Sequence, residues 1–137
     1  MTSPALSPFA ASALVASGGA LGALARYQLG RMLTHLLGPR VADAFPWTTL
    51  TVNLAGCLLM GLLFGWLARH GGAGEHLRLL LGVGMLGGFT TFSAFSLELL
   101  LLTERGTPGL AFAYAAVSVL AGLAALWLGL TMMRGAA

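Results

Sequence analysis

Asn53 is a primary amide set inside an apolar run, about Trp47 to Ala68. An amide placed in hydrocarbon is costly unless it is paired, so it either ties helices together or faces a wet path. Thr49 lies four residues earlier and shares its helical face. Tyr114 and Ser118 repeat that spacing near the end of the chain, with Gly122 one turn further on. A third polar group interrupts another apolar run: Gly87-Gly88-Phe89-Thr90-Thr91-Phe92-Ser93-Ala94-Phe95. A single Ser or Thr in a membrane helix usually bonds back to its own backbone. Three such faces on three runs point instead to a shared polar track. Its donors are an amide and several hydroxyls. The rings of Phe92 and Phe95 could turn a positive edge toward a small anion or a negative face toward a cation.

Other chemistry is poorly served. Within the apolar runs there is no histidine cluster, cysteine pair or paired carboxylate, which argues against an enzyme. Cys57 is the only cysteine, so no intrachain disulfide can form, and it reads as a small core residue. His35, His70 and His76 fall in loops or at helix ends, where solvated surface roles are expected. Glu98 is the one acid inside a run and Arg26 the one clearly internal base. Intramembrane charges either reach for the interface or mark function.

The elements that must position these residues follow from hydropathy. The 137 residues are 58% hydrophobic and 8% charged, with a mean hydropathy of +0.89. Soluble domains carry roughly 25% charged residues, so most of this exterior must face lipid. Four spans are predicted, about 9–33, 47–68, 79–102 and 110–133, each able to cross a hydrocarbon core of about 30 Å. They form a single four-span transmembrane domain over residues 1–137, an all-α membrane protein with a break in the third span. The connections carry Gly38-Pro39, Gly71-Gly72-Ala73-Gly74 and Gly106-Thr107-Pro108. No Lys or Arg precedes Arg26, so the first span lacks the charged start of a signal peptide and is read as retained.

Charge placement bears on assembly. Arg69, Arg78 and Arg134 fall on the side of the N-terminus, and Arg31, Arg40 and Arg105 on the other. Orientation normally follows the Lys/Arg bias of short loops, and here it is balanced. A protein inserted both ways shows such a balance, and an antiparallel homodimer follows from it. Gly18/Gly22, Gly61/Gly65 and Gly84/Gly88 have the small-xxx-small spacing that lets membrane helices approach closely. The basic excess is too small and scattered for nucleic-acid binding, leaving lipid and a second copy of the chain as the expected partners.

Three motifs, one per span and in order, resemble those of the Fluc (CrcB-type) fluoride channels. They are Gly18-Gly19-Ala20-Leu21-Gly22-Ala23-Leu24-Ala25-Arg26-Tyr27, Thr49-Leu50-Thr51-Val52-Asn53-Leu54-Ala55-Gly56, and Gly87 through Ser96. The Tyr114/Ser118 pair fits as well. The resemblance implies a dual-topology homodimer in a prokaryotic inner membrane that passively exports cytoplasmic fluoride. It also implies a structural sodium ion held by the backbone carbonyls of Gly87 and Thr90. By the same resemblance, Phe92 and Phe95 present ring edges to the anion and Asn53 donates to it. Ser93, Thr49, Tyr114 and Ser118 continue the path, Arg26 sits near a vestibule, and Glu98 lies toward the far end. Ala94 departs from the usual Thr of the third motif, and Arg31 receives no role. The alternative is a small dual-topology, proton-coupled exporter of cationic compounds. Such a protein needs a mid-span carboxylate, whereas Glu98 lies late in its span.

The arginine balance makes a prediction of its own. Adding several Lys at the C-terminus should hold that end in the cytoplasm and leave one orientation, abolishing transport by an antiparallel dimer. A partner carrying extra Lys beside Arg105 should restore it. Full activity of the Lys-tailed protein alone, with one orientation confirmed by labelling, would refute the antiparallel assembly.

Overall fold

The computed structural model describes residues 6–70 and 74–135. Four helical stretches are long and apolar enough to cross a membrane: Pro8–Leu37, Trp47–Arg69, Gly74–Glu104 and Pro108–Arg134. Among the described residues every regular element is helical.

Helix α1 (Pro8–Leu37) starts at Ser7, whose hydroxyl accepts from the Ala10 N–H at 3.2 Å, with Pro8 in the first turn. It continues through residues 34–37, which the sequence assigns to the loop, and ends at Gly38, where φ is +79°. That left-handed conformation suits glycine and lets the chain turn at once into the short helix α2 (Pro39–Ala44). Helix α3 (Trp47–Arg69) and helix α7 (Pro108–Gly135) are the second and fourth spans.

The third span is assembled from pieces. A short helix α4 (Gly74–Leu77) leads into a π-helical segment, Arg78–Leu86, and then into one turn, α5 (Gly87–Phe89). Thr90 and Thr91 are extended, with φ/ψ of −78°/158° and −146°/123°, before α6 (Phe92–Glu104) restarts the helix. The break thus falls inside the polar group read from the sequence, at its threonines and not at its glycines. Gly87 is itself helical, at φ −64° and ψ −38°, so the paired glycines do not open the chain.

Gly88, together with Gly84, instead serves close approach, while Gly87 is exposed and meets no other helix. A Cβ on Gly88 would strike the Gly19 carbonyl, and one on Gly84 would meet the Val15 carbonyl and Gly18 Cα. From the other side, Gly18 faces the Leu80 carbonyl and Gly22 the Met85 carbonyl, with equally little room. Backbone thus lies on backbone where α1 crosses the π-helical segment and α5. The same arrangement joins α3 to α7, where Gly61 meets the Leu126 carbonyl and Gly129 the Leu58 carbonyl. Helices in lipid gain nothing from hiding apolar surface from one another, so close van der Waals contact must hold them together. The π turn was not expected. Its wider ring adds a residue to the turn and shifts the face presented downstream.

Candidate functional site: a broken span lined by hydroxyls and aromatic rings

The break sits against α3. The Asn53 Nδ2 donates to the Thr91 carbonyl at 3.1 Å, and the Thr91 N–H donates to Asn53 Oδ1 at 2.9 Å. One side-chain amide therefore satisfies both polar groups of one peptide residue, as a neighbouring strand would. One turn along α3, Gly56 leaves space for the Thr90 methyl, which a Cβ would strike. Thr91 then caps α6, its Oγ1 accepting from the Ala94 N–H at 3.2 Å. Thr91 belongs to the polar group read at the break, but its pairing with Asn53 and its capping role were not expected. The available signal was a Thr before the run Phe92–Glu104, in the position of an N-cap.

These bonds redirect the backbone in a specific way. In an unbroken helix the Thr91 N–H would serve the Gly87 carbonyl and the Ala94 N–H the Thr90 carbonyl. Here the first goes to Asn53 and the second to the Thr91 hydroxyl. The Thr90 N–H and hydroxyl both turn back to the Leu86 carbonyl, each at 3.0 Å.

Beyond the break, rings form a continuous ladder. Phe92 and Phe95 have centroids 5.8 Å apart, Phe95 and Tyr114 5.1 Å, Tyr114 and Phe45 5.4 Å, and Phe45 and Trp47 4.6 Å. Tyr114 is 1% exposed, whereas Phe92 is 78% exposed in the single chain. Phe45 was missed because it lies in a connection with no periodicity to mark its direction. A cavity of 380 Å³ opens at the Phe92 end, lined by Asn53, Cys57, Thr90, Phe92, Phe95 and Ser118 among others. The Ser118 hydroxyl is buried and makes no hydrogen bond among the described residues.

Glu98 is held at the other end of the ladder. Its Oε1 accepts from the Thr49 hydroxyl at 2.6 Å and its Oε2 from the Tyr114 hydroxyl at 2.8 Å. Thr49 and Glu98 are thus direct partners, which their separate placement in sequence did not reveal. Glu98 also borders a smaller cavity shared with Asp43, Phe45 and Arg105 near the first connection. Ser93 is exposed and stands 3.4 Å from the Thr91 hydroxyl. Arg26 lies elsewhere, on a third and wider cavity that reaches Thr49, Thr91 and Ala94. Its buried Nε makes no hydrogen bond among the described residues. The chosen residues therefore meet around two faces of the break and not along one line.

Comparison with known proteins gives this arrangement a family. The sequence pattern of the CrcB-like proteins, described as "CrcB-like protein, Camphor Resistance (CrcB)", matches residues 13–130. The chain belongs to the CrcB-like family. It is 61% identical over 127 residues to the fluoride-specific ion channel FluC of Novosphingobium aromaticivorans, covering 93% of this chain and 98% of that one. Fluoride-specific ion channels FluC of Phenylobacterium zucineum (54% over 122 residues, 88% and 93% covered) and Erythrobacter litoralis (49% over 130 residues, 94% and 96% covered) are also similar. These relatives are named as channels and not enzymes. With four apolar spans, membership makes this a multi-pass membrane protein of a prokaryote.

The two-way bond between Asn53 and Thr91 generates a clear expectation. Asn53→Ala should leave a buried N–H and carbonyl unpaired, costing about 1–3 kcal/mol for each. Thermal unfolding of the detergent-solubilised protein should show a marked fall in Tm, with a smaller fall for Asn53→Asp, which keeps the acceptor. An unchanged Tm for Asn53→Ala would mean that the amide does not hold the break.

Proposed function

We propose that this protein is a fluoride-selective channel that lets cytoplasmic fluoride leave passively across the inner membrane. The observation that carries the reading is the 61% identity, over nearly the whole of both chains, to a protein named a fluoride-specific ion channel. The cavity beside the break supplies a physical rationale. A strongly hydrated small anion gives up water only if directed donors replace it. The Asn53 amide has two hydrogens, and the bond to Thr91 uses one. The second is suited to an anion, as is the Ser118 hydroxyl, which makes no hydrogen bond among the described residues. Phe92 and Phe95 border the same space, where positive ring edges can complete the shell. Thr49, Tyr114, Ser93 and Glu98 extend this polar surface, and Arg26 attracts anions from the wider cavity.

In the same proposal the working unit is an antiparallel homodimer inserted in both orientations. Phe92 is highly exposed at membrane depth beside polar groups, and a second copy laid over it would enclose the path. The side-to-side charge balance has a counterpart in the fold. Arg105 Nη1 bonds the Asp43 carbonyl at 2.9 Å at one end, and Arg69 Nη1 bonds the Met133 carbonyl at 2.8 Å at the other. A structural sodium ion belongs to the reading as well. The Gly87 and Thr90 carbonyls are the two whose usual helical donors are engaged by Asn53 and Thr91, and a hard cation favours oxygen ligands of this kind. When bound, the ion would neutralise those carbonyl dipoles and fix the break. The exporter alternative gains no support, since both Glu98 oxygens already accept bonds from hydroxyls.

Purified protein in liposomes should release fluoride much faster than protein-free vesicles, with little chloride passing. Phe92→Ile and Phe95→Ile should each cut the fluoride rate at least tenfold while leaving a folded dimer. Normal rates in both variants would remove the rings from the path, and an inactive unmodified protein would refute the channel.

The sodium assignment has a separate check. A high-resolution experimental structure of the dimer should show an ion among the Gly87 and Thr90 carbonyls. A water at hydrogen-bond distances in that place would rule the ion out.

A further inference from the structure

Arg31 has so far no part in the site. It is exposed on α1, five residues beyond Arg26, with its guanidinium carbon 5.9 Å from the centre of the Tyr27 ring. Contact with a ring face steadies a side chain that would otherwise sample many rotamers. The cavity beside it measures 710 Å³, the largest described here, and is lined by Arg26, Arg31 and His35 toward the α1 end and by Thr49, Thr91 and Ala94 at the break. No Asp or Glu lines it. Water-filled space bounded by low-dielectric walls and one sign of charge concentrates counter-ions. Arg40, in α2, does not line this space.

The geometry points to Arg31 as an outer anion-collecting residue, steadied by Tyr27, that raises the local concentration of a small inorganic anion before it reaches Arg26 and the break. This rests on the channel reading. Arg31 touches neither the break nor the aromatic ladder, so its effect is electrostatic and must fade as salt screens it. The Debye length is about 30 Å at 0.01 M and about 3 Å at 1 M.

The test is initial fluoride release from liposomes holding the full chain, at about 0.01 M and about 1 M background salt of a large organic anion. At low salt Arg31→Gln should slow release about threefold, the scale of removing one unit charge whose Coulomb energy through water is about RT. At high salt its rate should match the unmodified protein. Arg31→Lys should restore most of the low-salt rate, Arg31→Met should behave as Arg31→Gln, and Arg40→Gln should change little. An unmodified low-salt rate in Arg31→Gln and Arg31→Met would overturn the assignment. So would a loss that is equal at both salt levels, which marks a structural role, or an equal loss in Arg40→Gln, which marks general surface charge. No fluoride release from the unmodified protein would instead overturn the channel reading and this inference with it.

Discussion

The structure depends on one exchange of hydrogen bonds, between the Asn53 amide and the Thr91 peptide. A span interrupted inside a bilayer exposes N–H and C=O groups that lipid cannot satisfy. Asn53 provides a donor and an acceptor in the spacing of a paired strand, and Gly56 gives Thr90 room beside it. Thr91 then spends its hydroxyl on the Ala94 N–H, so that α6 can start cleanly. A helix restarted in this way has its own direction, and the Phe92 and Phe95 rings go with it. An Ala at position 53 would remove both halves of the exchange at once, which is why one side chain has such leverage over the site.

The rest of the fold makes the break tolerable by being close-packed where it can be. Gly18 and Gly22 lie on carbonyls of the π-helical segment, and Gly84 and Gly88 lie on α1. This holds the first half of the broken span against α1 over several turns. Asn53 and Gly56, from α3, then secure the end of that half. The α3–α7 pair is built on the same principle at Gly61 and Gly129. Two closely packed pairs therefore meet at Thr90 and Thr91, and the irregular backbone lies between them.

Much of this was legible in the residues. Long apolar runs, Gly-Pro punctuation and small-xxx-small spacing mark membrane helices and their contact faces, because bilayer thickness and helix geometry impose them directly. The polar faces of α3 and α7 were legible for the same reason, since Thr49/Asn53 and Tyr114/Ser118 repeat at four residues. Less legible was anything requiring knowledge of a partner element. Gly87-Gly88 lies where the sequence places the break, yet both residues stay helical and Gly88 serves close packing. Whether a membrane glycine supplies bending or proximity depends on what lies opposite, and one sequence does not contain that. The bonding of Glu98 to Thr49 and Tyr114 joins three spans, and no spacing along the chain encodes it. The π turn leaves no sequence mark at all.

The bonding of Glu98 also bears on how an anion path could work in this fold. Thr49 and Tyr114 carry hydroxyls suited to an anion, but each has one hydrogen, and both hydrogens are engaged by the carboxylate. While those bonds last, neither hydroxyl has a hydrogen left for a passing anion. Among the described residues, the donors with no bond lie at the opposite end of the ladder: the second Asn53 hydrogen and the Ser118 hydroxyl. On the channel reading, the strongest anion position is therefore beside Phe92 and Phe95, and onward movement past Tyr114 requires a hydroxyl to leave Glu98 for the ion. The energy for that exchange is modest, because one charge-assisted hydrogen bond replaces another. On the proposed reading, a path built this way would hand the anion from donor to donor, with the Thr49 and Tyr114 hydroxyls held by Glu98 in between.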